Sequence, residues 1–363
     1  MPLKQRFDRL LLTAAVVETV LGLAVVASAS WLIAVERYHR PGTYFLSWQA
    51  AAAMVGMAVL VAAMHVRVEL FADERLGWVM LAVSAVLLVG ALAQAPVAHT
   101  HRWVGVGGLS VQPSVLARVA VIVLASVQLR RLADEGWQSR RLVLVGGAVA
   151  ATAGLILLEP DLGSSVLLLA IVAAMAVVAG IPARLMAAPA VAGLVAVVAA
   201  VATSPYRLAR VRAFFDPQAA SAAAWQTRQS LIAIGSGGVL GRGYGAGLQK
   251  LFFLPEPHTD FIFAIISEEL GLIGALTFLL LVAVIAWRGL RIARRQTQPH
   301  LALLAFGLTF AFALQSLLHM SVCLGLAPPK GIPLPLVSYG KTDLVVSLGS
   351  LGLLLNLSRE VTS

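Results

Sequence analysis

Charged residues are scarce in this chain. Asp, Glu, Lys and Arg together make up only 12% of its 363 residues. An ordinary soluble domain is about a quarter charged and about half apolar. This chain is instead 60% hydrophobic, and its mean hydropathy is +0.89. The composition excludes an ordinary soluble protein and predicts a membrane protein with several spans.

Cysteine is almost absent as well. The single Cys323 lies in an apolar stretch, so the sequence predicts neither an intrachain disulfide nor a cysteine metal site. Acids are fewer than bases, with 17 Asp and Glu against 27 Lys and Arg. A basic balance can indicate nucleic-acid binding, but here the bases lie at the ends of apolar runs, where they act as topology signals. We therefore expect no nucleic-acid partner.

Ten apolar runs are long enough to cross a bilayer. They cover residues 11–35, 44–66, 76–95, 113–130, 142–158, 163–180, 184–204, 261–287, 300–325 and 342–358. If the N-terminus is cytoplasmic, the inside segments hold roughly three times as many Lys and Arg residues as the short outside loops. The pattern predicts one all-α, multi-pass membrane domain over residues 1–363 with about ten spans and both termini in the cytoplasm.

One connection, residues 205–259, is far longer than the others and falls on the predicted extracytoplasmic side. Loops of this length are usually functional. A helix is expected near Trp225 to Ile234, followed by a series of glycines from Gly235 to Gly247. These glycines either make a flexible loop or bring the backbone close to a ligand. Their spacing leaves both readings open.

Three acids near the end of this loop are candidates for chemistry. Asp260 directly precedes an apolar helix, where it could cap the helix or, ionised beside water, serve as a general base. Glu268 and Glu269 lie within the apolar run, where a buried carboxylate is costly. We interpret these two as structural, paired with a neighbouring helix through Arg118 or His319.

Cations accumulate in the same loop: Arg207, Arg210, Arg212, Arg228, Arg242 and Lys250. They could form a solvated face, because long loops cross the membrane regardless of charge. Arg matches phosphate bidentately, however, and we favour a site for a phosphorylated lipid headgroup. His258 is a second candidate base, although a lone loop histidine is more often a polar surface residue.

Three further segments are predicted on the outer side. Arg102 precedes Gln112-Pro113, which opens the fourth span, and Glu159-Pro160-Asp161 is interpreted as a tight interfacial turn. Residues 328–340 have four prolines within eight residues and cannot be helical there. Non-helical backbone near membrane depth must be buried in protein or line a cavity. We read this segment, with residues 235–260, as a wall of an outward-facing cavity.

These motifs, in this order, resemble the SEDS family of membrane peptidoglycan glycosyltransferases, which includes FtsW, RodA and SpoVE. The resemblance is carried by Arg102-Trp103, Gln112-Pro113-Ser114, Pro160-Asp161-Leu162-Gly163, residues 229–238, His258-Thr259-Asp260, Glu268-Glu269 and Ser338-Tyr339-Gly340. The spellings Gln249-Lys250-Leu251 and Pro328-Pro329-Lys330-Gly331 are more similar to the division branch, FtsW, than to the elongation branch.

The resemblance implies polymerisation of lipid II into glycan strands on the outer face of the cytoplasmic (inner) membrane, for division or elongation. It implies that Asp260 is the base acting on the acceptor hydroxyl. Binding of the substrate or its diphosphate is assigned to Arg102, Arg207, Arg210, Arg212, Arg242, Lys250, His258, Lys330 and Ser338. Two other functions stay open, a lipid II flippase and a non-catalytic scaffold for division or elongation.

The same resemblance implies partners and leaves the cofactor open. A class B penicillin-binding protein, which is a transpeptidase, is the expected partner, with other divisome or elongasome membrane proteins. The bound substrate is an undecaprenyl-diphosphate-linked glycan. No cofactor is certain, and a divalent cation, Mg²⁺ or Mn²⁺, is an open alternative.

The sequence departs from the family pattern at two places. The Glu and Lys that usually follow Gln-Pro-Ser are replaced by Val115 and Arg118, so Arg118 lacks an acid one helical turn away. The Gly-Ser-Ser that usually follows Ser-Tyr-Gly is replaced by Lys341-Thr342-Asp343. Our hypothesis is that Asp343 or Lys341 restores the charge balance of the cavity from the last span.

Overall fold

The computed structural model describes residues 7–94, 102–106, 109–137, 140–216 and 218–360, which form the predicted all-α fold. Residues 95 and 217, parts of the third predicted run and of the long loop, lie outside the described ranges. The helices are α1 (Arg9–Glu36), α2 (Tyr44–Ala63), α3 (Glu74–Leu92), α4 (Pro113–Glu135), α5 (Arg140–Leu158), α6 (Leu162–Val178), α7 (Ala183–Ala202), α8 (Pro205–Phe215), α9 (Ala222–Gly237), α10 (Ile262–Arg295), α11 (Pro299–Cys323) and α12 (Lys341–Glu360).

Two short elements complete the described fold. A 3₁₀ turn spans Val68–Ala72, and strands β1 (Val104–Val106) and β2 (Leu109–Val111) pair antiparallel, with Val104 opposite Val111. The end of β2 is joined to the start of α12, because the Gln112 backbone N–H donates to the Thr342 hydroxyl at 3.2 Å. This contact brings the start of α4 next to the start of α12.

The apolar runs and the helices agree closely. Helices α1–α7 and α10–α12 coincide with the ten predicted runs, because each run is long enough for a full helical span. Of the described helices, α1, α2, α3, α5, α7, α10 and α11 are long and apolar enough to cross a membrane by length and composition, and α6 is apolar but shorter. The orientation of the chain across the membrane stays a prediction.

The interior of the bundle is built mainly on α4 and α11. Ile122 and Leu124 on α4 and Leu304 and Leu308 on α11 are buried. The two helices pack against each other and against α6. By contrast, α7 has no buried residue and packs only at the edge, against α6 and α8. The N-terminal ends of α4, α6, α10 and α12 lie around the candidate site described below.

The long loop is folded rather than flexible. The helix expected near residues 225–234 is confirmed as α9, whereas α8, with Pro205 in its first turn, was not predicted as a helix. The glycines that follow α9 pack against α10. A Cβ on Gly237 would collide with the carbonyl oxygen of Ser267, and one on Gly241 would collide with that of Glu269. Close packing against the chain's own helix therefore accounts for glycine at these two positions.

The loop backbone also completes a break in α10. Gly271 has φ +65°, which interrupts the helix, and the loop supplies hydrogen-bond partners on both sides of the break. The N–H of Arg242 donates to the carbonyl of Glu268 at 3.0 Å, and the N–H of Leu272 donates to the carbonyl of Gly238 at 2.9 Å. The first turns of α10 are thereby held by the loop.

Candidate active site

Asp260 lies just before α10, beside the proline-rich segment 328–340. A Cβ placed on Gly331 would lie 3.0 Å from Asp260 Oδ2, so glycine at this position leaves space beside the carboxylate. The N-cap of α10 is Phe261, with no side-chain capping hydrogen bond. The helix-capping reading of Asp260 is therefore wrong, and its side chain is not committed to the helix end.

The surroundings of Asp260 raise the pKa of its carboxyl, which suits it to act as a general base. Burial raises the pKa of the Asp260 carboxyl to about 6. The positive charge of Arg210 opposes this rise, the negative charge of Glu256 adds to it, and the positive charge of Arg102 opposes it. A carboxyl with this pKa is mostly ionised at neutral pH yet binds a proton more readily than an exposed aspartate. Such a group is suited to accept a proton from a hydroxyl.

The charges of Arg210 and Arg102, from two separate segments, act on this carboxylate, and a third cation, Lys330, adjoins Gly331 and interacts with Asp161. Arg210 on α8 donates to the carbonyl of Pro329 at 3.2 Å and stacks over the Tyr206 ring at 4.6 Å. Lys330 is the next residue along the proline-rich segment and is half-buried, and that burial lowers the pKa of its ammonium.

Arg102 donates to the carbonyl of Pro160 at 3.0 Å, and its Nε lies 3.6 Å from Asp161 Oδ2. Asp161 in turn caps α6 by accepting from the backbone N–H of Ser164 at 3.0 Å. The turn between α5 and α6 therefore holds Arg102 in place. The family resemblance had suggested all three cations as substrate-binding residues.

The same turn contains an acid, Glu159, whose sequence context indicates only a tight interfacial turn. Glu159 is fully buried, and neither of its carboxylate oxygens has a hydrogen-bond partner among the described residues. Burial raises the pKa of Glu159 to about 8. The negative charge of Asp161 adds to this rise, and the positive charge of Arg102 opposes it. The sequence signal for this buried acid is its position between the end of an apolar helix and Pro160.

The two glutamates on α10 have different partners from those expected. Glu269 accepts from Lys250 Nζ at 2.6 Å, from the hydroxyl of Ser28 at 2.7 Å and from the N–H of Gly245 at 3.0 Å. Glu268 accepts from the N–H groups of Leu248 and Gln249. Their structural role fits the interpretation from sequence, but pairing with Arg118 or His319 was wrong because the folded loop supplies the partners.

Lys250 consequently has a different role from the predicted one. Its ammonium is buried and donates to Glu269, to Ser28 Oγ at 2.7 Å and to the carbonyl of Gly245 at 2.8 Å. Those three bonds use all three of its protons. Lys250 joins the loop to α1 and α10, and no proton remains for a diphosphate.

The other predicted cations of the loop do not converge on Asp260. Arg207 donates to the carbonyls of Ala200, at 3.1 Å, and Leu157, at 3.3 Å, which lie in the last turns of α7 and α5. Arg212 and Arg242 are exposed. We assign Arg207 to holding helix ends, and we leave the predicted substrate contacts of Arg212 and Arg242 as predictions.

His258 is buried, contrary to the expectation of a polar surface residue. Its ring packs against Phe45 at 4.7 Å and Tyr339 at 5.6 Å between ring centroids. Burial, with the charge of Arg37 adding, lowers the pKa of the imidazole to about 4. A neutral imidazole among aromatic rings cannot serve as a cation for a diphosphate, so we assign His258 to packing.

Ser338 fastens the proline-rich segment to the residues beside Asp260. Its hydroxyl donates to the carbonyl of Thr259 at 2.7 Å and accepts from the N–H of Leu334 at 2.8 Å. Its carbonyl accepts from Gln49 on α2 at 2.9 Å. The direct contact of Ser338 with substrate stays a prediction, whereas its role in holding Thr259 against the wall follows from these bonds.

The two departures from the family pattern meet in the structure. Arg118 on α4 lies 3.2 Å from Asp343 Oδ1 on α12 and also bonds the side-chain oxygen of Gln315 on α11. Gln315 in turn donates to Asp343 and, at 2.9 Å, to the carbonyl of Pro333. Asp343 therefore supplies the acid that Val115 does not. Lys341 stacks over the Trp48 ring at 4.7 Å instead.

The donors around Asp260 do not fit a divalent ion held by the protein. Within the described ranges, no three His, Cys, Asp or Glu side chains are grouped so that they could hold a metal ion. Arg210 and Arg102 also act on Asp260, with Glu256 as the one acid among its stated charge partners. We derive no step through a metal.

Comparison with known proteins agrees with this arrangement. The family model for cell cycle proteins of the FtsW, RodA and SpoVE group matches residues 8–363. The chain belongs to this family. A probable peptidoglycan glycosyltransferase FtsW from Trichlorobacter lovleyi is 35% identical, over 97% of this chain and 93% of that protein. A protein described in the same words from Thioalkalivibrio sp. is 39% identical, over 99% of this chain and 91% of that protein.

Solved structures share the fold. A chain from a peptidoglycan synthase complex that coordinates polymerization and crosslinking has a TM-score of 0.80 with 24% identity, covering 98% of both chains. The rod shape determining protein RodA of Thermus thermophilus has a TM-score of 0.70 with 24% identity, again covering 98% of both chains. The arrangement of helices around Asp260 is therefore that of the FtsW, RodA and SpoVE fold.

Proposed function

We propose that this chain is a peptidoglycan glycosyltransferase that polymerises lipid II at the end of the bundle where Asp260 lies. The observation that carries the proposal is a half-buried aspartate, with its pKa raised to about 6, on which the charges of Arg210 and Arg102 act from two separate segments. The names of the FtsW relatives, which match over almost the whole chain, support the same reaction.

In the proposed mechanism Asp260 is a general base. The acceptor sugar hydroxyl transfers its proton to the Asp260 carboxylate while its oxygen attacks the anomeric carbon of the donor. The bond from that carbon to the diphosphate oxygen breaks, and the electron pair leaves with the undecaprenyl diphosphate. One base and one displacement predict inversion at the anomeric carbon.

The cations have the complementary role. Arg102, Arg210 and Lys330 lie where they can bind the diphosphate and stabilise the negative charge that grows on it as the bond breaks. Arginine suits this role because its planar guanidinium offers two parallel donors to phosphate oxygens. The bonds of Arg102 and Arg210 to the carbonyls of Pro160 and Pro329 hold these groups in place before the substrate arrives.

The proposal includes a setting and partners. The chain is a multi-pass protein of the cytoplasmic membrane, and we place Asp260 on its outer face, where the peptidoglycan is assembled. A class B penicillin-binding protein is the proposed partner, supported by the structural neighbour from a peptidoglycan synthase complex. Other divisome or elongasome proteins are proposed as further partners on the family resemblance alone.

The test is polymerisation of labelled lipid II by the purified protein, with and without its class B penicillin-binding protein. Asp260→Asn should lower the rate by about 10²–10⁴-fold, the usual contribution of a general base. Asp216→Asn is the matched control, because Asp216 is an exposed acid of the same loop, and it should stay within about twofold of the natural protein.

Two results would overturn the proposal. One is a rate for Asp260→Asn equal to that of Asp216→Asn, because no base would then act at this position. The other is no polymer from any protein in the presence of the partner. Transport of lipid II in vesicles that is unaffected by Asp260→Asn would then favour the flippase, and partner binding alone would favour the scaffold.

A further inference from the structure

A cavity lies at the opposite end of the bundle from Asp260. It has a volume of about 480 Å³ and is enclosed by the C-terminal parts of α4, α6 and α10 and by the first turns of α11. Sites for small molecules usually occupy roughly 300–1,000 Å³. The cavity is therefore large enough to hold one chain of a lipid.

This cavity is separate from the candidate active site. Asp260 lies two residues before the start of α10, whereas Leu290, Ala293 and Arg294 of the same helix line the cavity. At 1.5 Å per residue, about 45 Å of helix lies between them. A ligand bound in the cavity cannot touch the groups around Asp260.

The lining combines an apolar surface with two arginines. Val178, Leu290, Leu303 and Phe306 contribute apolar surface, while Arg130 and Arg294 contribute positive charge. Arg294 is exposed and lies in the last turn of α10. The positive charge at the cavity comes from these two arginines rather than from helix dipoles, because the C-terminal ends of α4, α6 and α10 oppose the N-terminal end of α11 there.

The ion pair that Arg130 makes is easily exchanged. Arg130 lies 2.7 Å from Asp134 one turn along α4, with side-chain exposures of 42% and 55%. Exposed pairs of this kind contribute little, at most about 1 kcal/mol. A phosphate that approaches both Arg130 and Arg294 can therefore replace the carboxylate.

We infer that this cavity binds an anionic phospholipid. Its phosphate lies between Arg130 and Arg294, and one acyl chain lies against the apolar side chains of α6, α10 and α11. Basic pockets between membrane helices on the cytoplasmic side are sites for anionic lipid headgroups. The location fits, because the positive-charge bias predicts the cytoplasmic side for this end of the bundle. The inference does not depend on the proposed polymerase reaction.

The test is lipid binding to the purified full-length chain in detergent, measured by native mass spectrometry. The protein is titrated with phosphatidylglycerol and, separately, with phosphatidylcholine. Phosphatidylglycerol should bind at least about tenfold more tightly, and the double variant Arg130→Gln/Arg294→Gln should lose about tenfold of that affinity. The double variant Arg184→Gln/Arg295→Gln removes the same charge from exposed residues outside the cavity and should bind like the natural protein.

A third variant tests the apolar half of the site. Ala302 lines the cavity, and Ala302→Trp should fill it and weaken phosphatidylglycerol binding while both arginines remain. Equal losses in the two double variants would show general surface charge and overturn the inference. Displacement of the lipid by millimolar inorganic phosphate would show a simple anion site and overturn it too, as would undiminished binding by Ala302→Trp.

Discussion

Two levels of acid lie along the start of α10, about 12 Å apart, and they differ in how they are satisfied. At the deeper level, Glu268 and Glu269 accept hydrogen bonds from the loop, from α1 and from Lys250. At the upper level, Asp260 is half-buried beside the space left by Gly331, and other segments hold the cations around it.

The difference shows what makes a buried acid reactive. Burial alone does not explain the difference, because Glu268 and Glu269 are the more buried of the acids. Lys250 and the loop N–H groups donate hydrogen bonds to the deeper carboxylates, which therefore connect the loop to the helix. The upper carboxylate keeps a raised pKa and open space, which together are features of a functional site. Substitutions at the two levels should accordingly affect different properties.

The largest expected effect is on stability at the deeper level. Lys250→Met removes the cation from Glu269 and leaves a buried charge without its partner, which typically costs about 3–5 kcal/mol. Chemical unfolding of the purified protein in detergent should show this loss. The double variant Lys250→Met/Glu269→Gln should regain most of it, and Asp260→Asn should not lower stability. A loss below about 1 kcal/mol in Lys250→Met would contradict the structural role.

An intermediate case is the pair between α4 and α12. Asp343→Ser leaves Arg118 without its acid and loosens the bond from Gln315 to the proline-rich wall, and we expect a loss of about 2 kcal/mol or more. The polymerisation rate should fall with it, because the wall borders Asp260. Adding Val115→Glu should restore both, as an acid one turn from Arg118. If the double variant is no better than Asp343→Ser alone, Asp343 is not the substitute acid.

The pH profile of the reaction tests the upper level directly. Asp260 must be ionised to accept a proton, and burial raises its pKa to about 6. The rate of polymerisation, expressed as kcat/KM, should therefore fall about tenfold per pH unit below pH 6 and level off above it. An exposed aspartate would move this fall below pH 4. A rate that is constant between pH 5 and pH 7 would show that Asp260 is not the titrating base.

The smallest expected effect concerns Glu159. Its pKa of about 8 in the folded chain lies above the ordinary value of 4.5. The folded state therefore keeps a proton that the unfolded state has lost, and stability falls as pH rises from about 4.5 to about 8. Glu159→Gln removes this dependence, so its Tm should exceed that of the natural protein by roughly 2 °C or more at pH 8. The two should be nearly equal at pH 5.

A surface acid provides the control for this last measurement. Glu256 lies 3.1 Å from Arg37, with side-chain exposures of 42% and 60%, so Glu256→Gln should change Tm little and to the same extent at both pH values. If Glu159→Gln shows no larger difference between pH 5 and pH 8 than Glu256→Gln, then Glu159 is not protonated in the folded state.

Much of the fold was predictable, because span length and apolar composition are local properties. The ten apolar runs coincide with ten helices, and α9 was expected from its own sequence. Helix α8 was missed because its arginines suggested a phosphate site before a helix. The motifs also pointed to Asp260, Arg102, Arg210 and Lys330 as parts of one site.

The partners of charged residues were much harder to predict. Lys250 pairs with Glu269, 19 positions along the chain and inside α10, and nothing in the local pattern separates it from a diphosphate-binding lysine. His258 was expected at the surface because a loop histidine usually lies there, whereas Phe45 and Tyr339 come from distant segments to enclose it. Asp343 was an exception, since the missing acid at Val115 indicated where a substitute was needed.

The break in α10 at Gly271 affects how the helix can adapt to bilayers of different thickness. The whole of α10 has 34 residues, about 51 Å of helix, against a hydrocarbon thickness of about 30 Å. A helix that is too long for its bilayer tilts. Because the loop holds both sides of the break, through Glu268 and through Leu272, a tilt that begins beyond these turns leaves the distance between Asp260 and Gly331 unchanged.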